Sequence, residues 1–247
     1  MEKQPIIYLD IETIPGQHPS VRAALQREAD EEKAKIKAPG NYKDADKIAD
    51  YILARQHEID AGVEDRWHKT TFDGALGQIV CASIAINDEA PINLFTNEWA
   101  TAESHILGEL NRIITDVYAP SAMMRPIFVG HNVLAFDLRF IFQRSVLLGI
   151  PPHPAIPFNA RPWDEHVFDT MTAWAGIGNR VSLDKLCRVF GIPTKGSELD
   201  GDEIDGSKVW DFVQGGRIAD VAIYCGADVE WVREIHRRMT FAIREIA

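Results

Sequence analysis

The sequence has little positive charge. It contains 26 lysines and arginines against 37 acidic residues, which gives a formal net charge of −11 at pH 7. A chain with this balance repels the phosphate backbone of nucleic acids and anionic membrane surfaces, so broad electrostatic adhesion to either is disfavoured. A phosphate-rich substrate would therefore need local help, such as bound metal ions.

Cysteine is also scarce. The three cysteines, Cys81, Cys187 and Cys225, are far apart and lie in apolar contexts. They form neither a disulfide framework nor a CxxC metal site, and they are typical of core residues in a reducing compartment.

Long hydrophobic runs are missing as well. No apolar stretch approaches the length of a membrane span, and "MEKQP" is followed by only a short apolar run, unlike a signal peptide. We therefore expect a soluble, cytoplasmic protein with no membrane partner. Its 247 residues can bury one substantial core, so we expect a single α/β domain over residues 1–247.

Three apolar segments predict the start of an antiparallel sheet. The first, Ile6–Ile11, is short and β-branched, which favours a strand. "QIVCASIAI" predicts a second strand, and "APINLFT" predicts a third after the Asn87-Asp88 turn. Residues 13–77, between the first two strands, are rich in charge and alanine. They predict a helical insertion, with helices near 20–37 and 44–61.

The second half of the chain predicts further helices and strands. A helix from Thr101 precedes the strand "PIFVG", and a helix in "LAFDLRFIFQRSVLLG" follows it. "HVFDTM" predicts a short edge strand that ends at Asp169. A long amphipathic helix starts near Arg217 and repeats apolar residues with the spacing of one helix face.

The stretch "IIYLDIETIP" places two carboxylates, Asp10 and Glu12, where an apolar strand leaves the core. Alternation along a strand points both side chains to one face, so their charges repel unless a cation lies between them. The pair therefore indicates a metal site. A solvated strand end would explain it equally well.

Two later motifs carry further candidates. In "NVLAFD", Asn132 lies in a loop and Asp137 lies in the first turn of a helix, where a carboxylate also interacts favourably with the helix dipole. In "YCGAD", Tyr224 and Asp228 share one helix face. Gly226, between them, costs roughly 1 kcal/mol relative to alanine in mid-helix, which indicates close approach by a strand or a substrate.

In this order, the three motifs resemble the DEDD family of 3′-to-5′ exonucleases, which have a ribonuclease H-like fold. Tyr224 places the chain in the tyrosine subgroup, because Ile223 stands where the other subgroup has histidine. The run "DGSKVWDFVQGGRIADVAIYCGADV" is similar to predicted exonucleases related to the proofreading domain of family B DNA polymerases. The resemblance implies a central mixed sheet flanked by helices.

The resemblance also implies a site and a reaction. Two Mg²⁺ or Mn²⁺ ions would be bound by four carboxylates, and Tyr224 would orient the attacking water. The implied ligands are Asp10, Glu12, Asp137 and Asp228. Such a site hydrolyses phosphodiester bonds at the 3′ end of single-stranded DNA by a two-metal mechanism and releases nucleoside monophosphates.

Three residues are implied substrate contacts. Thr13 and Ile14 would clasp the last nucleotide, and Asn132 would contact the strand. A strand exit before Pro15 and an ordinary turn explain these residues equally well. Asp169 is either an outer carboxylate of the site or the cap of the next helix.

Alternatives to a DNA exonuclease stay open. The chain could act on RNA, because nothing in it reads the 2′-hydroxyl unambiguously. It could also be a catalytically silent module that binds nucleic acid or protein on the same fold. The insertion at 13–77 could be a lid or a surface for a partner protein. No polymerase region follows the domain, so we expect a stand-alone enzyme.

Overall fold

The computed structural model describes residues 4–118, 125–192 and 204–242. The chain divides into two compact units. The larger unit comprises residues 1–13 and 79–247, and the smaller comprises residues 14–78. The smaller unit covers nearly all of the segment that the sequence predicts as a helical insertion.

The larger unit contains a five-stranded sheet with the order β3-β2-β1-β4-β5. Its strands are β1 (Ile6–Ile14), β2 (Gln78–Ile86), β3 (Ile92–Leu94), β4 (Ile127–Gly130) and β5 (Val167–Asp169). β4 is parallel to both β1 and β5, whereas β3 is antiparallel to β2. Asn87 N donates to Ile6 O, which places the end of β2 beside the start of β1. The sheet is therefore mixed, and the predicted fold class is confirmed.

Helices of the larger unit cover both faces of the sheet. They are α3 (Glu103–Val117), α4 (Asp137–Leu148), α5 (Thr170–Ala175), α6 (Leu183–Val189), α7 (Val209–Gln214) and α8 (Ile218–Met239), with a 3-10 turn at Trp99–Thr101. Residues of α3 and α4 form one hydrophobic cluster with the sheet, and residues of α6 and α8 form a second. Within the described ranges, no helix is both long and apolar enough to cross a membrane.

Alternation along β1 decides which face each side chain takes. Ile7, Leu9 and Ile11 lie in the cluster with α3 and α4, whereas Tyr8 lies in the cluster with α8. Since side chains two residues apart share a face, Asp10 and Glu12 are on the same side of the sheet as Tyr8. The two carboxylates therefore point toward α8.

A buried ion pair joins α3 and α4 to the sheet. Glu103 accepts hydrogen bonds of 2.7 Å from Nε and Nη2 of Arg144, and a third of 2.8 Å from the backbone of Ile79. Every charged partner is paired with good geometry, which is the condition under which a buried ion pair is tolerated. This contact fixes the start of α3 against β2.

The smaller unit is built from α1 (Pro19–Ala34), α2 (Ala45–Lys69) and a 3-10 turn at Thr70–Phe72. The predicted end of the second helix near Ala61 is wrong by eight residues. The reason is tertiary: Trp67 is buried, its indole donates a 2.8 Å hydrogen bond to Gly16 O, and the Arg22 guanidinium covers the ring at 3.7 Å. These contacts stabilise about two further turns of helix.

Candidate metal centre

The first two carboxylates of the site come from β1. Ligand oxygens of Asp10 and Glu12, together with the sulfur of Cys225, lie within 4.8 Å of one another. Glu12 is buried, and Asp10 is partly exposed. Two like charges so close are tolerated only when a cation, a proton or hydrogen bonds offset their repulsion.

Asp137 reaches the same place from the start of α4. Its Oδ1 accepts a 3.1 Å hydrogen bond from the backbone of Ile11, the residue between Asp10 and Glu12. Burial, together with the negative charges of Asp169 and Asp228, raises the pKa of Asp137 to about 7, against backbone hydrogen bonds that lower it. The carboxylate is therefore costly to keep charged without a cation.

Tyr224 and Asp228 approach from α8, one helical turn apart. Both are buried, Tyr224 at 2% exposure and Asp228 at 6%. Burial raises the pKa of the Tyr224 phenol, and the charges of Asp228, Glu12 and Asp10 raise it further. The phenol is consequently neutral near pH 7 and offers an O–H group beside three carboxylates.

Gly226 lets α8 approach the sheet closely. A Cβ atom at this position would lie 2.8 Å from Oδ1 of Asn93, on β3. Asn93 cannot move away freely, because the same oxygen accepts a 2.8 Å hydrogen bond from Ser83. The close approach predicted from the mid-helix glycine is present, and it comes from the sheet.

Cys225, which the sequence predicts as a core residue, is also a member of the site. Its sulfur lies 3.3 Å from Oδ2 and 3.5 Å from the backbone oxygen of Asp10. Burial raises the pKa of the thiol well above its ordinary value, and a hydrogen bond with Cys81 and the charges of Asp10 and Glu12 raise it further. The thiol is therefore protonated and can donate to Asp10. Its place beside Tyr224 in "YCGAD" was the only signal available.

A cavity of about 460 Å³ opens beside the carboxylates. Asp10 and Asp228 line it, together with Asn132 and His131 from the loop after β4. Arg180, for which the sequence offers no signal, also lies on its wall. Asn132 adopts a left-handed conformation with a φ of 62°, which asparagine tolerates better than most residues.

Asp169 caps the next helix, as one of its two predicted roles requires, and its charge also acts on the carboxylate site. It caps α5 by accepting hydrogen bonds from the backbones of Met171 and Thr172. It also accepts from the backbones of Asn132 and Leu134, and its charge acts on Asp137. The carboxylate thus holds the loop that leads from β4 into α4.

Thr13 and Ile14 are buried and lie away from the cavity that Asn132 lines. They are the last two residues of β1, and they are 7% and 0% exposed. Neither lines the cavity beside the carboxylates. Their contact with the terminal nucleotide stays a prediction.

The residues of the site fit a hard divalent cation. Asp10, Glu12, Asp137 and Asp228 offer carboxylate oxygens, the ligands that Mg²⁺ and Mn²⁺ prefer. The one soft atom among them, the sulfur of Cys225, belongs to a thiol whose raised pKa keeps it from acting as a thiolate ligand. The raised pKa of Asp137 also indicates a site that gains from added positive charge.

Comparisons with known proteins identify a family and a similar fold. The family described as "Predicted 3'-5' exonuclease related to the exonuclease domain of PolB" matches residues 75–232. A search of curated protein sequences finds no match. Among solved structures, the family B DNA polymerase from the hyperthermophilic archaeon Pyrobaculum calidifontis is similar, with a TM-score of 0.54 and 11% identity. That likeness covers 97% of this chain and 25% of the polymerase, so the chain spans about a quarter of that protein.

Proposed function

The chain belongs to the family of predicted 3′-5′ exonucleases related to the exonuclease domain of PolB, and from this premise we propose that it removes nucleotides from the 3′ end of single-stranded DNA. The reaction is the hydrolysis of a phosphodiester bond, it requires two Mg²⁺ or Mn²⁺ ions, and it releases nucleoside 5′-monophosphates.

One observation carries the proposal: carboxylates from three separate elements meet beside one cavity. β1 supplies Asp10 and Glu12, α4 supplies Asp137, and α8 supplies Asp228. Burying several like charges is costly, and a structural role would be served better by apolar residues. Bound cations would offset the repulsion among these carboxylates, so the cluster is best explained as a cation site.

The four carboxylates would hold the metal ions, and two of them are positioned by hydrogen bonds within the protein. Asp137 is held by the backbone of Ile11, and Asp10 is held by the thiol of Cys225. When bound, two divalent cations activate a water molecule and stabilise the departing oxygen of the phosphodiester.

Tyr224 supplies the remaining chemical group. Its phenol is neutral, so its oxygen can accept a hydrogen bond from the attacking water while its hydrogen is donated to a neighbouring carboxylate. A water held in this way has its lone pair directed at the phosphorus, and orientation of this kind contributes strongly to rate. We therefore assign Tyr224 to orienting the nucleophile.

The choice of DNA over RNA rests on the family, which is related to an exonuclease domain of a DNA polymerase. The proposed substrate is single-stranded because the 3′ terminal nucleotide must leave a duplex to reach carboxylates at the wall of a cavity. Asn132 lines the same cavity and would contact that nucleotide.

The direct test is degradation of 5′-labelled single strands. The purified chain is incubated with a labelled DNA 20-mer or its RNA counterpart, in Mg²⁺, in Mn²⁺ or in chelator. We expect a ladder that shortens from the 3′ end, requires metal and is faster on DNA. Asp10→Ala and Asp137→Ala should abolish it, whereas Asp50→Asn, an exposed change on α2, should not.

Other results of this assay distinguish a DNA exonuclease from an RNA exonuclease and from a silent binding module. A ladder that is faster on RNA would overturn the DNA assignment and leave the nuclease intact. No shortening of either strand, with metal binding preserved, would favour a silent binding module on the same fold. Shortening that survives in both active-site variants would point to a contaminating nuclease.

A further inference from the structure

Arg180 gives the carboxylate cavity a fixed positive charge. Among the described residues that line the cavity, Asp10 and Asp228 carry negative charge and Arg180 carries the permanent positive charge. Its side chain is exposed. No described group accepts a hydrogen bond from its guanidinium or forms an ion pair with it. The five N–H donors of this guanidinium are therefore available to a ligand.

The backbone next to Arg180 is fixed. His131 Nε2 donates a 2.9 Å hydrogen bond to the carbonyl of Val181, and His131 Nδ1 is 2.9 Å from Thr170 Oγ1. The first bond attaches the segment before α6 to the loop after β4, which also carries Asn132, and the second attaches His131 to the start of α5. Arg180 is thus an available cation at a defined place beside the proposed metal site.

Binding of a nucleic-acid strand to this acidic protein requires a positively charged side chain near the site. The net charge of −11 repels an incoming polyanion, and ions bound by the carboxylates offset only the charge near the bond that is cut. Phosphates further along the strand are repelled by the net negative charge of the protein. An arginine binds a phosphate with two parallel hydrogen bonds, which gives both attraction and orientation.

We propose that Arg180 binds a phosphate of the substrate strand at the wall of the carboxylate cavity and thereby positions the 3′ end. This inference rests on the proposed nuclease function and adds to it a substrate-positioning residue. The phosphate is the one upstream, on the 5′ side, of the bond that is cut. Because Arg180 is exposed on the wall, it contacts the part of the strand that leaves the cavity. The bond that is cut lies deeper, at the buried carboxylates.

Binding tests the proposal without cleavage. A 5′-fluorescein dT10 strand is titrated with the Asp137→Asn chain in Mg²⁺, and anisotropy gives the Kd. Adding Arg180→Gln should raise the Kd about tenfold, as loss of a charged hydrogen bond does. Arg180→Lys should raise it less, because the charge remains. Arg161→Gln, the same charge change on the exposed segment before β5, is the matched control and should stay within twofold.

Salt dependence distinguishes a phosphate contact from a general loss of structure. The slope of log Kd against log salt should fall by about 0.7 for Arg180→Gln, the value expected for one phosphate contact to a single strand. Arg180→Lys should keep the slope of the parent chain. A purely structural role would weaken binding without this pattern.

Substrate length provides a kinetic readout in the otherwise native chain. The ratio of KM between Arg180→Gln and the native chain should be larger for a decanucleotide than for a dinucleotide, which has no phosphate upstream of the bond that is cut. The kcat values should change much less than the KM values. Equal KM ratios for both lengths, or a loss confined to kcat, would overturn the assignment to the upstream phosphate.

Failure of this inference is distinguishable from failure of the nuclease proposal. If the native chain degrades DNA but Arg180→Gln binds as Arg161→Gln does, the Arg180 inference is wrong and the nuclease stands. If the native chain neither binds nor degrades the strand, both are wrong. If it binds, responds to Arg180→Gln as expected and never cleaves, the nuclease is wrong and Arg180 belongs to a strand-binding module.

Discussion

The backbone amide of Ile11 donates a 3.1 Å hydrogen bond to Oδ1 of Asp137. The bond joins the strand that carries Asp10 and Glu12 to the helix that carries Asp137, 126 residues later in the chain. It brings together motifs that are distant in sequence. It also holds a buried carboxyl group whose pKa is raised to about 7. The charged form of this group therefore lowers the free energy of unfolding.

Asp137→Asn should stabilise the metal-free protein. At pH 8 the native carboxylate is charged in a buried site, whereas an asparagine of the same shape is neutral and can still accept from Ile11. We expect a gain of about 2 kcal/mol, or roughly 4 to 8 °C in Tm for a chain of this size, measured by thermal unfolding in chelator.

The same variant should lose the response to metal. Mg²⁺ should raise the Tm of the native chain, because ligands that bind only the folded state stabilise it, and should have little effect on Asp137→Asn. Asp50→Asn is the control for a change in net charge, since this residue is exposed on α2. A native chain that is as stable as Asp137→Asn without metal would contradict this description of the site.

Cys225→Ala should weaken metal binding. The variant removes the thiol that lies 3.3 Å from Oδ2 of Asp10 and so frees that carboxylate to rotate. Loss of such an orienting partner typically costs tenfold or more, and we expect about tenfold in Mn²⁺ affinity by calorimetry. Cys225→Ser keeps a donor and should retain most of the affinity. Cys187→Ala, in the cluster with α6 and α8, should have no effect on affinity.

Gly226→Ala should destabilise the protein only while Asn93 is present. The new methyl group would lie 2.8 Å from Oδ1 of Asn93, at an expected cost of about 1 to 2 kcal/mol. In an Asn93→Ala background the same change should be stabilising by up to about 1 kcal/mol, because alanine is the better helix former.

A double-mutant cycle in urea measures this coupling. Gly108→Ala, in the middle of α3 where a Cβ atom would meet nothing within 4 Å, is the matched control and should be stabilising in every background. Equal effects of Gly226→Ala with and without Asn93 would contradict the close approach of α8 to β3.

Stability should fall with acid in a way that depends on His236. Burial lowers the pKa of this histidine from 6.5 to about 4, and its Nδ1 is 3.0 Å from the Tyr8 hydroxyl. Because the unfolded state takes up the proton first, the contribution to stability is complete above pH 6.5. It is lost as the pH falls toward 4, by on the order of 3 kcal/mol.

Urea unfolding from pH 7 to pH 4 tests this. The loss of stability across the range should be smaller in His236→Gln than in the native chain, whatever the absolute stability of the variant. His105→Gln, at an exposed position of α3, should keep the native slope. Parallel curves for the native chain and His236→Gln would contradict the buried neutral histidine.

The sequence predicts those parts of the fold that follow local rules. Alternation along β1 places Asp10 and Glu12 on one face, and helical spacing places Tyr224 and Asp228 on another. The glycine in mid-helix indicates a close neighbour, and the structure supplies Asn93. Each of these depends only on the period of a strand or helix.

Long-range contacts account for what the sequence does not predict. The second helix of the smaller unit continues to Lys69 because Trp67 bonds to Gly16, which is 51 residues away. Cys225 enters the site only because α8 packs on the end of β1, and Arg180 only because His131 holds the neighbouring Val181. No local pattern specifies such pairs.

Product identification tests the central claim most directly. A single-stranded DNA 20-mer labelled on its 3′-terminal base is supplied to the native chain and to Asp10→Asn in Mg²⁺, and the released species are identified by mass spectrometry. We predict nucleoside 5′-monophosphates, released one at a time from the 3′ end by the native chain and absent with Asp10→Asn. Oligonucleotide fragments, or no metal-dependent product from the native chain, would contradict the assignment of this carboxylate site to a 3′-to-5′ exonuclease.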